Sequence, residues 1–150
     1  VSLLTMNGHA TNLGMARLIG CDFRQPGQLR TWFPHPSSNH PVHVLIDACH
    51  ALKIVRNMLE AYYSVQSERG VIQWSHFVRL HEVQHDQGLH FANKLSRRHI
   101  QFKKQIMKVA LAAQTVSSSV AKAMQFLLDR NVKGFQDASA TIEFIHVRLF

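Results

Sequence analysis

Asp47 stands directly after VHVLI, residues 42–46, a β-branched apolar run bounded by a proline that predicts a buried strand. An acid at the C-terminal end of such a strand projects into the crevice where α/β sheets place ligands. The stretch Ala48-Cys49-His50-Ala51-Leu52-Lys53-Ile54-Val55-Arg56-Asn57 follows. It puts His50, Lys53 and Asn57 at i, i+3 and i+7 of a predicted helix, on one polar face beside the acid. A carboxylate so placed is a hard oxygen ligand for Mg2+. Two such ions about 3.5–4 Å apart activate the attacking oxygen and stabilise the leaving one in phosphoryl transfer. The same spacing also suits a strand-end aspartate that caps the following helix. Local spacing leaves both readings open.

A second feature is a concentration of cations: Lys94, Arg97, Arg98, Lys103, Lys104 and Lys108. They could contact a nucleotide or DNA, or form a solvated helix face. No G-x-x-x-x-G-K-[ST] loop occurs, which excludes a P-loop phosphate cradle. A nucleotide would need these cations together with an aromatic or apolar pocket for its base. The eleven histidines are read as scattered surface and core residues and not as a zinc set. Cys21 and Cys49 lie far apart in unlike contexts, and are read as reduced thiols of an intracellular protein.

The elements that must position these groups fall into two halves. Residues 1–6 (VSLLTM) predict a buried strand stopping at Asn7-Gly8, and Thr11-Asn12 offer capping oxygens for a helix over 13–19 that ends at Gly20. Residues 22–41 hold all four prolines and read as a long surface loop. Strand 42–46 then feeds a helix over 48–63, with Leu52, Val55 and Leu59 as its apolar stripe. After Gly70 nothing reads clearly as a strand. Residues 72–87 predict a helix burying Trp74, Phe77, Leu80 and Val83 or Gln84, and 96–113 a helix burying Phe102, Ile106, Val109 and Ala113. The other side of that second helix would carry Arg97, Lys104 and Lys108. Ser117 to Ser119 interrupt or begin the next helix, which runs on through Leu128. A turn over 129–134 and a helical segment from Thr141 close the chain. The fold class is therefore an α/β fragment followed by an all-α unit, helix-rich overall.

The chain has 150 residues, 46% hydrophobic and 17% charged, which is the composition of a globular and not a disordered chain. No apolar run approaches the roughly 20 residues of a membrane span, and no secretory leader is visible. Opening on Val1 and stopping inside an apolar pattern, the chain reads as a piece of a longer protein. A net charge of +8 suits a polyanionic partner such as nucleic acid, or an ordinary basic surface.

The segment DACHALKIVRN resembles the D-x-x-H-x-x-K-x-x-R-N segment of P-element transposases and their THAP-domain relatives in animal genomes. Asn7-Gly8 with Asn12 resembles the family's D-G-x-x-x-N turn, Gln73-Trp74 its tryptophan-bearing element, and Asn93-Lys94-Leu95 with His99 its N-K-L-x-x-x-H pattern. The stretch from Met107 to Thr115, Ser117 to Ala121, and the closing Thr141-Ile142-Glu143-Phe144 with Arg148-Leu149-Phe150 continue the likeness in order. The resemblance implies an RNase H-like catalytic domain, partly present over 1–65, interrupted by a helical GTP-binding insertion domain over 66–150. It implies Mg2+-dependent cleavage and joining of DNA at transposon ends, with GTP assisting assembly and not hydrolysed for energy. It implies a nuclear protein that works as a homo-oligomer, with no membrane partner.

Carried over by motif, Asp47 corresponds to the second acid of the catalytic triad and would be both catalytic residue and metal ligand. His50, Lys53 and Asn57 would lie near the active site. The family's first acid lies upstream of Val1 and its third beyond Phe150, so the isolated chain is expected to be inactive. Asn7 stands where the family has aspartate, as in a decayed copy. Glu143 is read as a solvated helix residue and not as a replacement acid. The competing function is a non-enzymatic DNA- or GTP-binding protein derived from a decayed or domesticated transposase.

Overall fold

The computed structural model describes residues 2–25, 27–88, 91, 93–101, 103 and 106–148, the side chains of 147 and 148 excepted. Expectations for Phe102, Lys104, Leu149 and Phe150 lie outside the described residues. The chain divides into two compact units, Val1–Ala51 and Leu52–Phe150. Residues 65 and 66 both lie within the second unit.

The first unit is built on a three-stranded sheet of order β1-β3-β2, from β1 (Ser2–Met6), β2 (Trp32–Pro34) and β3 (Pro41–Ile46). β1 and β3 run parallel, Ser2 opposite Val42 and Met6 opposite Ile46, while β2 is antiparallel to β3. Alternation puts Leu4, Met6, Val44 and Phe33 on the face that packs with Leu13, Ala16, Cys21 and Phe23. α1 (Ala10–Leu18) supplies Leu13 and Ala16 to this core. Its cap is His9, whose Nδ1 accepts from the Thr11 N–H, so Thr11 and Asn12 lie inside the first turn and do not cap it as expected. The helix closes as expected at Gly20, with φ +108°: the Cys21 N–H reaches the Ala16 carbonyl and the Gly20 N–H that of Arg17.

Residues 22–41 are not all loop. Asp22 and Arg30 exchange two backbone hydrogen bonds and β2 follows. Trp32-Phe33 are strand formers, and Pro34 is tolerated because β2 is an edge. The proline count hid this strand.

α2 (Ala48–Tyr62) begins in the first unit, and its later turns belong to the second. It ends where Tyr63 turns left-handed, φ +62°. A hairpin follows, β4 (Ser64–Ser67) with β5 (Gly70–Gln73), pairing Val65 with Ile72. The all-α expectation for this half is therefore corrected. With one apolar residue in β4, these strands carry no alternation that a sequence pattern could show.

Among the described residues the unit is completed by α3 (Ser75–Gln87), α4 (Arg97–Ile100), α5 (Val109–Thr115), α6 (Ser118–Asp129) and α7 (Ser139–Arg148). They and the hairpin enclose a core of Leu59, Ile72, Trp74, Phe77, Leu80, Leu95, Val120, Met124, Phe135 and Ile145, among others. The helix expected over 96–113 is broken. Gln101 leaves helical geometry (φ −106°, ψ 65°) and Lys108 is extended (φ −79°, ψ 103°). Ile106, expected in the core, is exposed, and Ala112, Thr115 and Val116 are buried instead. Within the break, the buried Arg56 guanidinium donates to the Ile106 carbonyl at 3.1 Å, an oxygen that a continuous helix would have bonded four residues onward.

Candidate functional site

In the first unit Asp47 follows β3 directly and precedes α2, half-buried, as the strand-end reading expects. Its N–H donates to the Met6 carbonyl at 2.8 Å, and its Oδ1 accepts from the Cys49 N–H at 3.0 Å. The carboxylate thus caps α2, satisfying one of the first-turn donors. Because β1 and β3 are parallel, Asn7 also leaves its strand at this edge. Asn7 Oδ1 accepts from the His9 N–H and from Asn12 Nδ2, at 3.2 and 2.7 Å, which ties the turn to the first turn of α1. The His50 ring lies beside Gly8, where a Cβ would meet its Cδ2 at 3.7 Å. The strand ends therefore bring Asp47, Asn7, Gly8 and His50 to one edge of the first unit.

Lys53 and Asn57 belong to the second unit, both half-buried. Asn57 Oδ1 accepts from Arg56 Nε at 2.8 Å. Burial pushes the Arg56 guanidinium below its ordinary value, opposed by the charge of Glu60. Arg56-Asn57 is a packing pair that holds the segment ahead of α5. Arg56 carries no role in the motif, and its one signal in the sequence is an arginine flanked by core positions of an apolar stripe.

The basic residues are dispersed. Lys94 precedes α4, Arg97 and Arg98 lie on it, Lys103 follows it, and Lys108 caps α5; all five are exposed. The single helix face expected for Arg97 and Lys108 does not exist. Lys94 lines a cavity of about 300 Å3, with Ala113, Gln114, Ser117 and Ser119, where α6 begins.

The segment around Lys94 is fixed by buried polar groups. Asn93 donates to Gln84 Oε1 at 2.7 Å and accepts from the Leu95 N–H at 2.9 Å. His99 Nδ1 accepts from the Ser96 N–H, so its proton sits on Nε2 and is donated to Gln114 Oε1 at 2.9 Å. Gln114, with its Oε1 so engaged, also lines the cavity. Ser117 is the N-cap residue, but its side chain makes no capping bond to α6, and the first turn holds no acid. Such a helix start offers N–H groups and positive dipole to an anion.

A further polar cluster was not foreseen. His76, 2% exposed, links Thr141 Oγ1 (2.9 Å from Nδ1) to Asp137 Oδ1 (3.1 Å from Nε2). Gln73 joins both ends, its N–H donating to Thr141 Oγ1 and its Nε2 to Asp137 Oδ2. The arrangement ties β5 and α3 to α7. Thr141 is fully buried, so its hydroxyl serves packing and not attack on a substrate. His81-Glu82-Val83-Gln84-His85 on α3 has H-E-x-x-H spacing, which corrects the expectation that the histidines are scattered with no zinc-type spacing. Glu143, read as solvated, pairs with Arg69. Cys21 and Cys49 are both free, as expected. Among the described residues no helix is long and apolar enough to cross a membrane.

Residues 49–148 match the sequence profile of the family described as TNP-like, GTP-binding insertion domain. The chain is 29% identical over 148 residues to the DNA transposase THAP9 of Homo sapiens, covering 98% of this chain and 16% of that protein. Its fold is similar to that of the Drosophila P element transposase strand transfer complex, with a TM-score of 0.81 at 20% identity over 97% of this chain and 32% of that one. The chain thus spans only part of the length of either relative. With most of its length matched to it, the chain belongs to the family of the TNP-like, GTP-binding insertion domain, and its likeness to both relatives is that of a P-element-type transposase fragment.

Proposed function

We propose that residues 49–148 bind GTP without cleaving it, through the cavity at the start of α6, and that residues 1–65 are part of an RNase H-like catalytic domain. In this reading Asp47 supplies one carboxylate for Mg2+-dependent cleavage and joining of transposon-end DNA by a longer, nuclear, oligomeric protein. The observation that carries the nucleotide reading is the meeting of Lys94, the Gln114 amide and Ser119 at an α6 start with no acid in its first turn. An ammonium, hydroxyls and helix N–H groups are the donors a triphosphate needs. The family description supplies the guanine.

Magnesium fits this chain only as far as Asp47. Its Oδ1 is engaged by the Cys49 N–H, and among the described residues no group of three or more His, Cys, Asp or Glu side chains could hold a metal ion. A dication that takes about six oxygens needs more than this. The remaining acids are proposed to lie outside residues 1–150.

The test is titration of the chain with GTP and ATP, alongside Lys94→Ala and phosphate-release assays. GTP is expected to bind more tightly than ATP, with no phosphate released. Lys94→Ala should weaken both by about tenfold or more, the worth of one charge-assisted hydrogen bond. Equal affinities for the two nucleotides, or no binding, would overturn the reading.

A further inference from the structure

α3 carries two histidines, His81 and His85, at i and i+4, so both rings leave the same side of the helix one turn apart. Their ring centroids are 6.4 Å apart and their planes 42° from parallel. The helix beneath them is anchored by Phe77, Leu80, Val83 and Gln84, which face the core. His81 is half-buried and His85 exposed. With Zn–N bonds of about 2.0–2.1 Å, two imidazoles on one ion place their ring centres roughly 5–6 Å apart. Rotation of the exposed His85 ring covers the difference. Its Nδ1 already lies 3.6 Å from Asp86 Oδ1. A carboxylate on that side leaves Nε2 to face an ion.

The same five residues in a zinc peptidase would use the glutamate as general base and a third ligand from elsewhere. Neither condition is met among the described residues. Glu82 Oε2 accepts from Arg79 Nη1 at 3.1 Å, and among the described residues no third His, Cys, Asp or Glu converges with the pair.

We propose that His81 and His85 form a two-histidine chelate for a divalent transition metal of the imidazole-preferring class, Zn2+, Ni2+ or Cu2+, with water in the remaining positions. Imidazole nitrogen selects these ions, whereas Mg2+ takes oxygen. The inference is independent of the nucleotide reading. The ion would clip the last turns of α3, ahead of the Gly88 cap.

Calorimetric titration of the full 150-residue chain with ZnCl2, NiCl2 and MgCl2 tests this, together with His81→Ala, His85→Ala and the double variant. One site is expected for zinc and nickel and none for magnesium. Loss of an outer-shell partner alone costs about 10–100-fold in metal affinity, so each single variant should weaken binding at least tenfold. His35→Ala, an exposed histidine in the first unit, should leave it unchanged. Because the chain has eleven histidines, paramagnetic broadening by Cu2+ should also be mapped, and is expected first at the His81 and His85 rings. Wild-type zinc affinity in the double variant, or broadening centred on other imidazoles, would overturn the proposal.

Discussion

The main-chain N–H of Asp47 donates to the carbonyl of Met6 across 2.8 Å, so the parallel ladder between β1 and β3 continues onto the residue that bears the carboxylate. The backbone of Asp47 is therefore held by the sheet, and its side chain by the Cys49 N–H. An acid fixed at both ends needs little ordering to serve as a ligand. It also has a structural duty that any test of a metal role must separate.

That separation is available by substitution. Asp47→Ala removes the acceptor for the Cys49 N–H and should destabilise the first unit by about 0.5–2 kcal/mol, the ordinary cost of a lost N-cap. Asp47→Asn keeps a capping oxygen and should cost much less. Urea denaturation of the two variants measures this, and equal destabilisation would show that the cap contributes nothing.

The His76 cluster makes a second prediction. Thr141→Val keeps the shape of the side chain but leaves the Gln73 N–H and His76 Nδ1 without their partner in a buried place. A buried polar group so orphaned costs about 1–3 kcal/mol. Thr141→Ser retains the hydroxyl and loses one methyl, about 0.8 kcal/mol. If Thr141→Val proved as stable as Thr141→Ser by denaturant titration, the hydroxyl would not be tying β5 and α3 to α7.

Asp137 gives the cluster a pH dependence whose sign is fixed. The hydrogen bond from His76, ahead of smaller contributions that include Gln73, holds its carboxyl below the ordinary value. A carboxylate easier to ionise when folded stabilises the fold above its unfolded value, about 3.9, and loses that contribution as pH falls through the folded value. The stability gap between wild type and Asp137→Asn should therefore be present at neutral pH and close below about pH 4. With Asp137 65% exposed, solvent screening keeps the gap within about 1 kcal/mol. A gap that widened in acid would reverse the assignment.

Long-period patterns were legible and short ones were not. Trp74, Phe77, Leu80 and Val83 repeat at helical spacing and are all buried in one core. VHVLI announces β3 because its β-branched run is flanked by a proline and an acid. β4 and β5 stayed hidden because four-residue strands with one central apolar pair have no period to read. The break between α4 and α5 was invisible for another reason. The Ile106 carbonyl within it is bonded by Arg56, 50 residues away, and no local window contains both. The cavity at α6 was half legible: Asn93-Lys94-Leu95 and Ser117 to Ser119 could each be seen, but their approach depends on the His99–Gln114 bond.

The last prediction concerns catalysis and rests on the count of carboxylates. A two-metal site needs several acids converging on one spot, because a lone, partly exposed aspartate holds Mg2+ weakly. This chain has nine Asp and Glu in all, and among the described residues no three metal-binding side chains converge. Residues 1–150 alone should therefore neither cleave nor join DNA at any Mg2+ concentration. In a longer chain that supplies the two further acids, activity should appear, and Asp47→Ala should lower it at least about 100-fold, beyond what loss of an outer-shell group causes. Asp47→Asn is the sharper probe: it keeps the cap and the fold but removes the charge that the metal requires. Strand-transfer assays on transposon-end DNA, run on both variants beside their unfolding curves, decide the matter. A longer protein that stays active with Asp47→Asn would place the chemistry elsewhere and leave Asp47 as the cap of α2.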